Sequence, residues 1–155
     1  MNKLPQIRAL VLGLIRNGDR ILVAEGYDSV KQEFFYRSLG GGVEFGETSL
    51  EALKREFQEE IQAELRNIRY LGFSENLFTY EGKPGHEWIQ IYQADLVDSK
   101  FYQLDEFVGT ETETEFVVRW IECDRFQSKE LHLFPEICLS YLWYAVLELR
   151  RLKFP

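Results

Sequence analysis

Three glutamates near the middle of the chain have the spacing of a metal-binding helix face. Glu56, Glu59 and Glu60 lie within the segment Gly41–Ala63, and residues three and four positions apart share one face of a helix. Carboxylates gathered in this way repel one another, so one or more pKa values in such a cluster rise. A hard divalent cation such as Mg2+ or Mn2+ relieves the repulsion because it prefers oxygen ligands. The pattern predicts a metal site on a helix, beside a glycine turn at Gly40–Gly42.

A solvated acidic helix is the alternative explanation for this segment, and it accounts well for Glu51 and Glu64. Such a helix favours glutamate–lysine pairs at a spacing of four residues, whereas Glu56 has Glu60 at that spacing. A separate apolar stripe is expected to face the core. Its members are Leu50, Leu53, Phe57 and Ile61.

The same segment resembles the Nudix box, G-x5-E-x7-R-E-U-x-E-E-x-G-U, where U is a bulky apolar residue. Gln62 replaces the last glycine of that pattern and Ala63 replaces the last apolar residue. Because glycine is the usual left-handed residue at a helix end, the departure bears on the end of the helix more than on metal binding. The matching positions, with every spacing kept, are Gly41, Glu47, Arg55, Glu56, Phe57, Glu59 and Glu60.

The resemblance implies an α/β fold, specifically a Nudix-type α/β/α sandwich with a mixed β-sheet between helices. It also implies metal-dependent hydrolysis of a phosphoanhydride bond in a nucleoside diphosphate-linked substrate, with Mg2+ (or Mn2+) as the cofactor. The ligands implied are the Gly40 carbonyl, Glu56, Glu59 and Glu60. The catalytic residues implied are Glu47, Arg55, Glu56 and Glu59.

Arg55 is expected to orient Glu47 through a charge-assisted hydrogen bond, and an ordinary surface ion pair is the alternative. The general base is left open, since members of the family use either a glutamate of the box or an acid from a distant loop. Glu44 is a further candidate within the glycine turn. The distant candidates, most of which are expected to be solvated charge, are Asp105, Glu106, Glu111, Glu113 and Glu115.

Motifs outside the box reduce the number of substrate classes but do not select one. The S-Q-P-W-P-F-P-x-S array of NADH pyrophosphatases, the upstream element of coenzyme A pyrophosphatases and the proline of ADP-ribose hydrolases beyond the box are not found. Tyr80 stands near the tyrosine of dinucleoside polyphosphate hydrolases. A nucleoside triphosphate or a dinucleoside polyphosphate is therefore favoured. ADP-ribose, a nucleotide sugar, or a non-catalytic nucleotide-binding module are the alternatives.

Three residues are predicted to contact the substrate. Arg37 suits a phosphate, although a charge at a strand edge is an equal alternative. Tyr80 stacks on a base or packs in the core. His86 donates to a phosphate, acts as a base or is a turn histidine, whereas His132 is expected to be structural. The aromatic residues that stack on a base or pack in the core are Phe34, Phe35, Tyr36 and Phe78.

Composition predicts one domain spanning residues 1–155, and the resemblance leaves a homodimer open because many members of the family dimerise. The net charge of −8 argues against a nucleic-acid polymer as the main partner, but not against a small phosphorylated one, because bound metal reverses the local sign. Cys123 and Cys138 are expected to be free buried thiols, which favours a reducing cytoplasmic setting. The apolar run Ala9–Ile15 is too short to span a membrane.

Hydrophobic periodicity predicts a sheet with one helix inside the chain and one at its end. The final helix is expected from Pro135 to about Leu152, and the stretch Asp98–Glu115 is expected to be irregular. A tight turn is predicted at Asn17–Gly18 and a hairpin tip at Tyr80–Gly85. The extended segments are Ile7–Ile15, Arg20–Ala24, Glu33–Leu39, Asn67–Phe73, Trp88–Leu96 and Phe116–Ile121.

Overall fold

The computed structural model of the protein describes residues 4–143, which form a mixed eight-stranded sheet with helices on both faces. The last helix, α3, begins at residue 137 rather than at Pro135, and its predicted extent to about Leu152 lies outside the described residues. The other elements are β1 Arg8–Asn17, β2 Arg20–Asp28, β3 Glu33–Arg37, β4 Leu39–Gly42, α1 Ser49–Ile61, β5 Leu65–Tyr80, β6 Lys83–Leu96, a 3-10 helix Ser99–Gln103, β7 Glu106–Glu111, β8 Thr114–Glu122 and α2 Cys123–Gln127.

Strand β1 is the centre of the fold and is buried on both faces. Side chains alternate along a strand, so Val11 and Ile15 point to one side while Leu12 and Leu14 point to the other. The first pair packs with α1, and the second packs with α2 and α3. A sheet covered by helices on both sides is the α/β/α arrangement that the sequence predicts.

The sheet has the strand order β5-β6-β1-β2-β8-β7, with β3 paired to β2 and β4 paired to β1. Only the β1–β6 pair is parallel. Strand β1 pairs with β2 at Arg16 and Asn17 alone, and with β4 over Leu10–Gly13. Because β1 changes partner along its length, β2 and β3 diverge from it. This divergence separates the β2–β3 hairpin from the β5–β6 hairpin.

Helix α1 has well-defined ends that fix the position of the acidic segment. Thr48 and Glu51 form a capping box at its start. Gln62 adopts the left-handed conformation at its end, with φ 55°. Its backbone N–H donates to the Gln58 carbonyl at 3.0 Å, and the Ala63 N–H donates to the Phe57 carbonyl at 3.2 Å. The helix therefore ends with the left-handed backbone conformation that is usual for glycine, although the residue here is Gln62. Leu50, expected to face the core, is 38% exposed because it lies in the first turn, at the rim of the sheet.

Three local predictions were wrong where tertiary contacts override local preference. The glycines Gly40–Gly42 belong to β4 instead of a turn, since they pair with β1. The stretch Asp98–Glu115 contains the 3-10 helix and β7, because β7 pairs with β8. The hairpin tip is only residues 81–82, since pairing of β5 and β6 reaches Tyr80 and Lys83.

The two cysteines are free and buried, as predicted. Burial raises the pKa of the Cys138 thiol to about 12, so this sulfur is a packing atom at neutral pH. In the part of the chain that the structure describes, no helix is both long and apolar enough to cross a membrane.

Candidate functional site

Two neighbouring cavities lie around α1 and the hairpins. The first, here called the acidic cavity, has a volume of about 440 Å³. The second, called the aromatic cavity, has a volume of about 350 Å³. Glu111 at the end of β7 lines both, so the two cavities meet there. The acidic cavity is lined by Glu44, Arg55, Glu56, Glu59, Glu60, Thr110, Glu111 and Thr112.

Arg55 is the centre of the polar network in the acidic cavity. Its Nε and Nη2 donate to the two carboxylate oxygens of Glu47 at 3.0 and 2.7 Å, and Nη2 also donates to the Gly42 carbonyl at 2.8 Å. Its Nη1 donates to Glu56 at 2.9 Å and to Glu59 at 3.2 Å. The hydrogen bonds to Glu47 raise the pKa of Arg55 above its usual value and lower that of Glu47. The predicted Arg55–Glu47 contact is thus present, and its role in catalysis stays a prediction.

Glu56 and Glu60 are the carboxylates that α1 carries inward. Burial raises the pKa of both, and that of Glu60 reaches about 8 because the charges of Glu56 and Glu111 add to the effect of burial. Gly41 makes room for Glu56, since a Cβ there would lie 2.4 Å from the Glu56 carboxyl carbon. The glycine is required by close approach of β4 to α1.

The three carboxylates of the helix do not converge as tightly as the sequence predicts. Within residues 4–143, no three acidic, histidine or cysteine side chains are gathered closely enough to hold a metal ion. The Glu59 side chain is 60% exposed and bonded to Arg55. The physical reason is that Arg55 serves as the counter-ion of Glu56 and Glu59, while repulsion keeps the carboxylates apart.

The donor set nevertheless fits a divalent cation. Glu60 is 8% exposed, and no basic side chain of the described residues forms a salt bridge with it. A buried carboxylate of that kind is costly unless a cation compensates it, and Glu56 and Glu111 face the same cavity. Glu60 and Glu56 are the residues that would hold the metal, while Glu59 and Glu111 line the same cavity. Gly40 does not line this cavity, so its role as a ligand stays a prediction.

Two of the candidates for the general base, Glu111 and Glu44, line the acidic cavity, and the others do not. Glu111 lines the acidic cavity, and its charge contributes to the raised pKa values of Glu56 and Glu60. Glu44 also lines this cavity, with its side chain 71% exposed. The remaining candidates lie elsewhere: Asp105 pairs with Arg20, Glu106 pairs with Arg119, and Glu113 and Glu115 are exposed outside the cavity.

The aromatic cavity lies between the β2–β3 and β5–β6 hairpins. The rings of Phe35 and Phe78 each rest against a glycine on the paired strand, Gly26 and Gly85, where a Cβ would come within 2.4 and 2.2 Å of ring atoms. These glycines let the rings lie flat on the sheet. The side chains that line the cavity are Arg8, Asp28, Lys31, Glu33, Phe35, Arg37, Asn76, Phe78, Thr79, Tyr80, Glu87, Glu111, Phe134 and Pro135.

Of the three predicted substrate contacts, Arg37 and Tyr80 line the aromatic cavity. His86 does not line it, because it precedes Glu87 on β6 and alternation directs the two side chains to opposite faces. Phe34 is 56% exposed and Tyr36 is buried. The backbone carbonyl of His132 accepts from the Tyr36 N–H at 2.9 Å, and the structural role expected of its side chain stays a prediction.

Sequence reasoning missed Arg8 and Glu87. Burial of Glu87 could have been predicted from the alternation of residues along β6, since Glu87 shares a face with the fully buried Ile89 and Ile91. A charged residue in such a buried register demands a partner. Arg8 stands directly opposite Glu87 in the β1–β6 ladder, and no sequence pattern reveals that register.

The model of the NUDIX domain family matches residues 4–141 of the chain. The chain therefore belongs to the Nudix family, which confirms the assignment made from the box, together with the α/β fold.

Curated relatives carry related names. The chain is 31% identical over 111 residues to the mouse (Mus musculus) mitochondrial NAD(P)H pyrophosphatase NUDT13, covering 66% of this chain and 31% of that protein. It is 40% identical over 68 residues to the NAD-capped RNA hydrolase NudC of Pseudomonas entomophila, covering 44% of this chain and 24% of that protein. The chain thus spans under a third of the length of either relative.

A solved structure shows the same fold. The NUDIX hydrolase from Nitrosomonas europaea superposes with a TM-score of 0.63 at 16% identity, covering 90% of each chain. At that identity the likeness concerns the fold alone.

Proposed function

We propose that this protein hydrolyses a phosphoanhydride bond in a nucleoside diphosphate-linked substrate, with Mg2+ as the preferred metal and Mn2+ as a substitute. The observation that carries the proposal is the pairing of the buried, cation-deficient carboxylate of Glu60 with Glu56, opposite the Arg55–Glu47 contact. A helix that only faces solvent would not need to bury a carboxylate without a cationic partner. Membership of the Nudix family supports the same chemistry.

A bound divalent ion would neutralise phosphate oxygens and lower the pKa of an attached water. The chain's own residues have distinct parts in this scheme. Glu56 and Glu60 would bind the ion. Arg55 holds Glu47 and Glu56 in place through three hydrogen bonds. Glu111, on the other side of the cavity, accepts the proton of the attacking water, which makes it our choice of general base.

The favoured substrates are a nucleoside triphosphate or a dinucleoside polyphosphate, with ADP-ribose or a nucleotide sugar as the second choice. The names of the mouse and Pseudomonas relatives add reduced and oxidised nicotinamide dinucleotides to the classes that need testing. A small nucleotide is proposed as the partner. NAD-capped RNA belongs in the same test, because the Pseudomonas relative is named for it.

Three further proposals accompany the function: one domain spanning residues 1–155, a cytoplasmic setting and a homodimer. The family match to residues 4–141 and the two buried thiols support the first two. Gel filtration with light scattering tests the third. A monomer mass at micromolar concentration would reject the dimer.

The test of the main proposal is turnover of a nucleotide panel with Mg2+, Mn2+ or chelator, detected by chromatography of the products. Glu56→Gln and Glu60→Gln are each expected to lower turnover by at least about a hundredfold because each removes a metal ligand. Glu64→Gln is the matched control, since Glu64 is an exposed acid just beyond α1 and should keep normal activity. Full turnover in both substituted proteins would reject the metal-ligand assignment. No turnover of any substrate would favour a nucleotide-binding module.

A further inference from the structure

Glu87 is a buried carboxylate without a full set of partners. Only 1% of the residue is exposed, and its Oε1 has no hydrogen-bond partner among the described residues. Its Oε2 is 3.4 Å from Asn76 Nδ2. A charge in such a place is retained at a cost, so it calls for an explanation beyond packing.

Two arginines flank this carboxylate from opposite sides. Arg8 Nη1 lies 3.7 Å from one oxygen of Glu87, and Arg37 Nη2 lies 3.6 Å from the other. These distances are those of ion pairs and are too long for good hydrogen bonds. In the described part of the chain, neither guanidinium is engaged in a hydrogen bond. Both therefore keep their N–H donors available, while Glu87 holds the two cations side by side.

Both arginines line the aromatic cavity, so their free donors border the same space as the rings of Phe35 and Phe78. The third cation there, Lys31, is already used, since its Nζ donates to the Thr79 carbonyl at 2.7 Å. A planar guanidinium with unused donors suits phosphate oxygens, and the aromatic rings suit a base.

Two of the four acidic side chains that line the cavity, Asp28 and Glu87, are engaged by donors, whereas Glu33 and Glu111 are exposed to solvent. Both oxygens of Asp28 accept backbone N–H groups, of Val30 and Lys31 at 3.0 Å and of Glu81 at 3.2 Å. Glu87 is covered by the two arginines and faces them rather than open space.

The aromatic cavity has the size of one nucleotide unit and meets the acidic cavity. Its volume of about 350 Å³ lies at the small end of ligand pockets and is of the size of one nucleotide unit. Glu111 joins it to the acidic cavity. A phosphate beside Arg37 would thus lie next to the phosphate that the carboxylates and metal hold.

We propose that Arg8 and Arg37, held together by the buried Glu87, bind the phosphate of a nucleoside monophosphate unit whose base lies against Phe35 and Phe78. This inference rests on the proposed function, and it assigns the nucleoside half of the substrate to the aromatic cavity. Because every contact comes from protein groups, the unit binds without metal. The monophosphate released by hydrolysis is then a product inhibitor.

The experiment is isothermal titration calorimetry in excess chelator, with AMP, GMP, CMP and UMP each compared with its own nucleoside. We expect at least one monophosphate to bind about a hundredfold more tightly than its nucleoside. Arg8→Ala and Arg37→Ala should each reduce that ratio about tenfold, and the double substitution should bring it close to one. Nucleoside affinity should stay the same, which a general loss of structure would not allow.

Arg125→Ala is the matched control, because Arg125 is an arginine paired with Glu130 outside the cavity and its loss changes the net charge by the same amount. The proposal is overturned if no monophosphate binds, if monophosphate and nucleoside bind equally to the unaltered protein, or if both arginine substitutions leave the ratio unchanged. The unaltered protein decides the first two points even when a variant fails to fold. Monophosphate binding without turnover of any substrate would reject the proposed function alone, and turnover without monophosphate binding would reject this inference alone.

Discussion

Arg55 and Glu47 are joined by two parallel hydrogen bonds, from Nε at 3.0 Å and from Nη2 at 2.7 Å, to the two oxygens of one carboxylate. The remaining guanidinium nitrogen reaches Glu56 at 2.9 Å. One planar cation therefore connects the turn before α1 to the inward-facing side of the helix. The position of Glu56 depends on this geometry as well as on the spacing of residues along the helix.

Replacing Arg55 by lysine tests whether the site needs only a positive charge or also the two parallel hydrogen bonds to Glu47. An ammonium group cannot make the two parallel bonds to Glu47, so Arg55→Lys is expected to lower turnover about 10- to 100-fold while the fold is kept. Turnover across a Mg2+ titration, together with a thermal melt, measures both effects. Lys54→Arg, at an exposed neighbouring position, is the control. Normal turnover in Arg55→Lys would show that positive charge alone is sufficient.

Gly41→Ala tests the close approach of β4 to α1. The new Cβ would meet the Glu56 carboxyl carbon at 2.4 Å, so Glu56 must move away from its place in the acidic cavity. We expect at least about a tenfold loss of metal affinity, measured by calorimetry with Mn2+. Gly42→Ala is the matched control, because a Cβ there meets nothing within 4 Å. Equal metal affinity in the two variants would contradict the role given to Gly41.

Glu60 should make the stability of the metal-free protein depend on pH. Its pKa is about 8 in the folded protein, against an ordinary value of 4.5. Between these values the folded protein binds a proton that the unfolded chain has released, so the free energy of unfolding falls as pH rises from about 5 to 8. Above pH 8 this contribution is constant, because both states are ionised.

Denaturant unfolding in chelator at several pH values between 5 and 9 measures this dependence. Glu60→Gln should weaken it, leaving the part due to Glu56, whose pKa burial also raises. The substituted protein should be more stable than the unaltered one at pH 8, since no buried charge then forms at position 60. Mg2+ should stabilise the unaltered protein increasingly as pH rises, because the ion competes with the proton for Glu60. A pH dependence that is the same in Glu60→Gln would assign it to other groups.

Glu111→Gln tests the choice of general base. Glu111 borders the acidic cavity, whereas Glu113 lies at the exposed hairpin tip two residues later. Loss of a general base costs about 10²- to 10⁴-fold in kcat, so Glu111→Gln should show a large fall in kcat and Glu113→Gln none. If kcat is retained in Glu111→Gln, the base lies elsewhere, with Glu44 as the next candidate.

The acidic helix could be predicted from the sequence because its information is local. Spacing of three and four residues places Glu56, Glu59 and Glu60 on α1. Local spacing does not determine how far the side chains converge. Glu59 lies at the exposed edge with Arg55, whereas Glu60 is buried, and this difference depends on the sheet that covers one side of the helix.

Local sequence patterns likewise predicted some strands and missed others. Alternation of apolar residues identified β1, β2, β6 and β8, but the glycines of β4 have no strand preference of their own. They become a strand because β1 offers unpaired backbone groups opposite them. Strand β7 is similar, since it exists through its pairing with β8. Pairing partners are distant in sequence, so no local pattern records them.

The sequence by itself determined the family, the helix with its carboxylates and the alternating strands of the core, because each depends on residues within a few positions of one another. Only the tertiary structure selected Glu111 from five distant acids, and only it brought Arg8 and Arg37 to the two sides of Glu87. Those contacts depend on the register of β1 against β6 and on the divergence of the two hairpins. Register and divergence are set by packing of the whole sheet, which side-chain spacing along one strand does not encode.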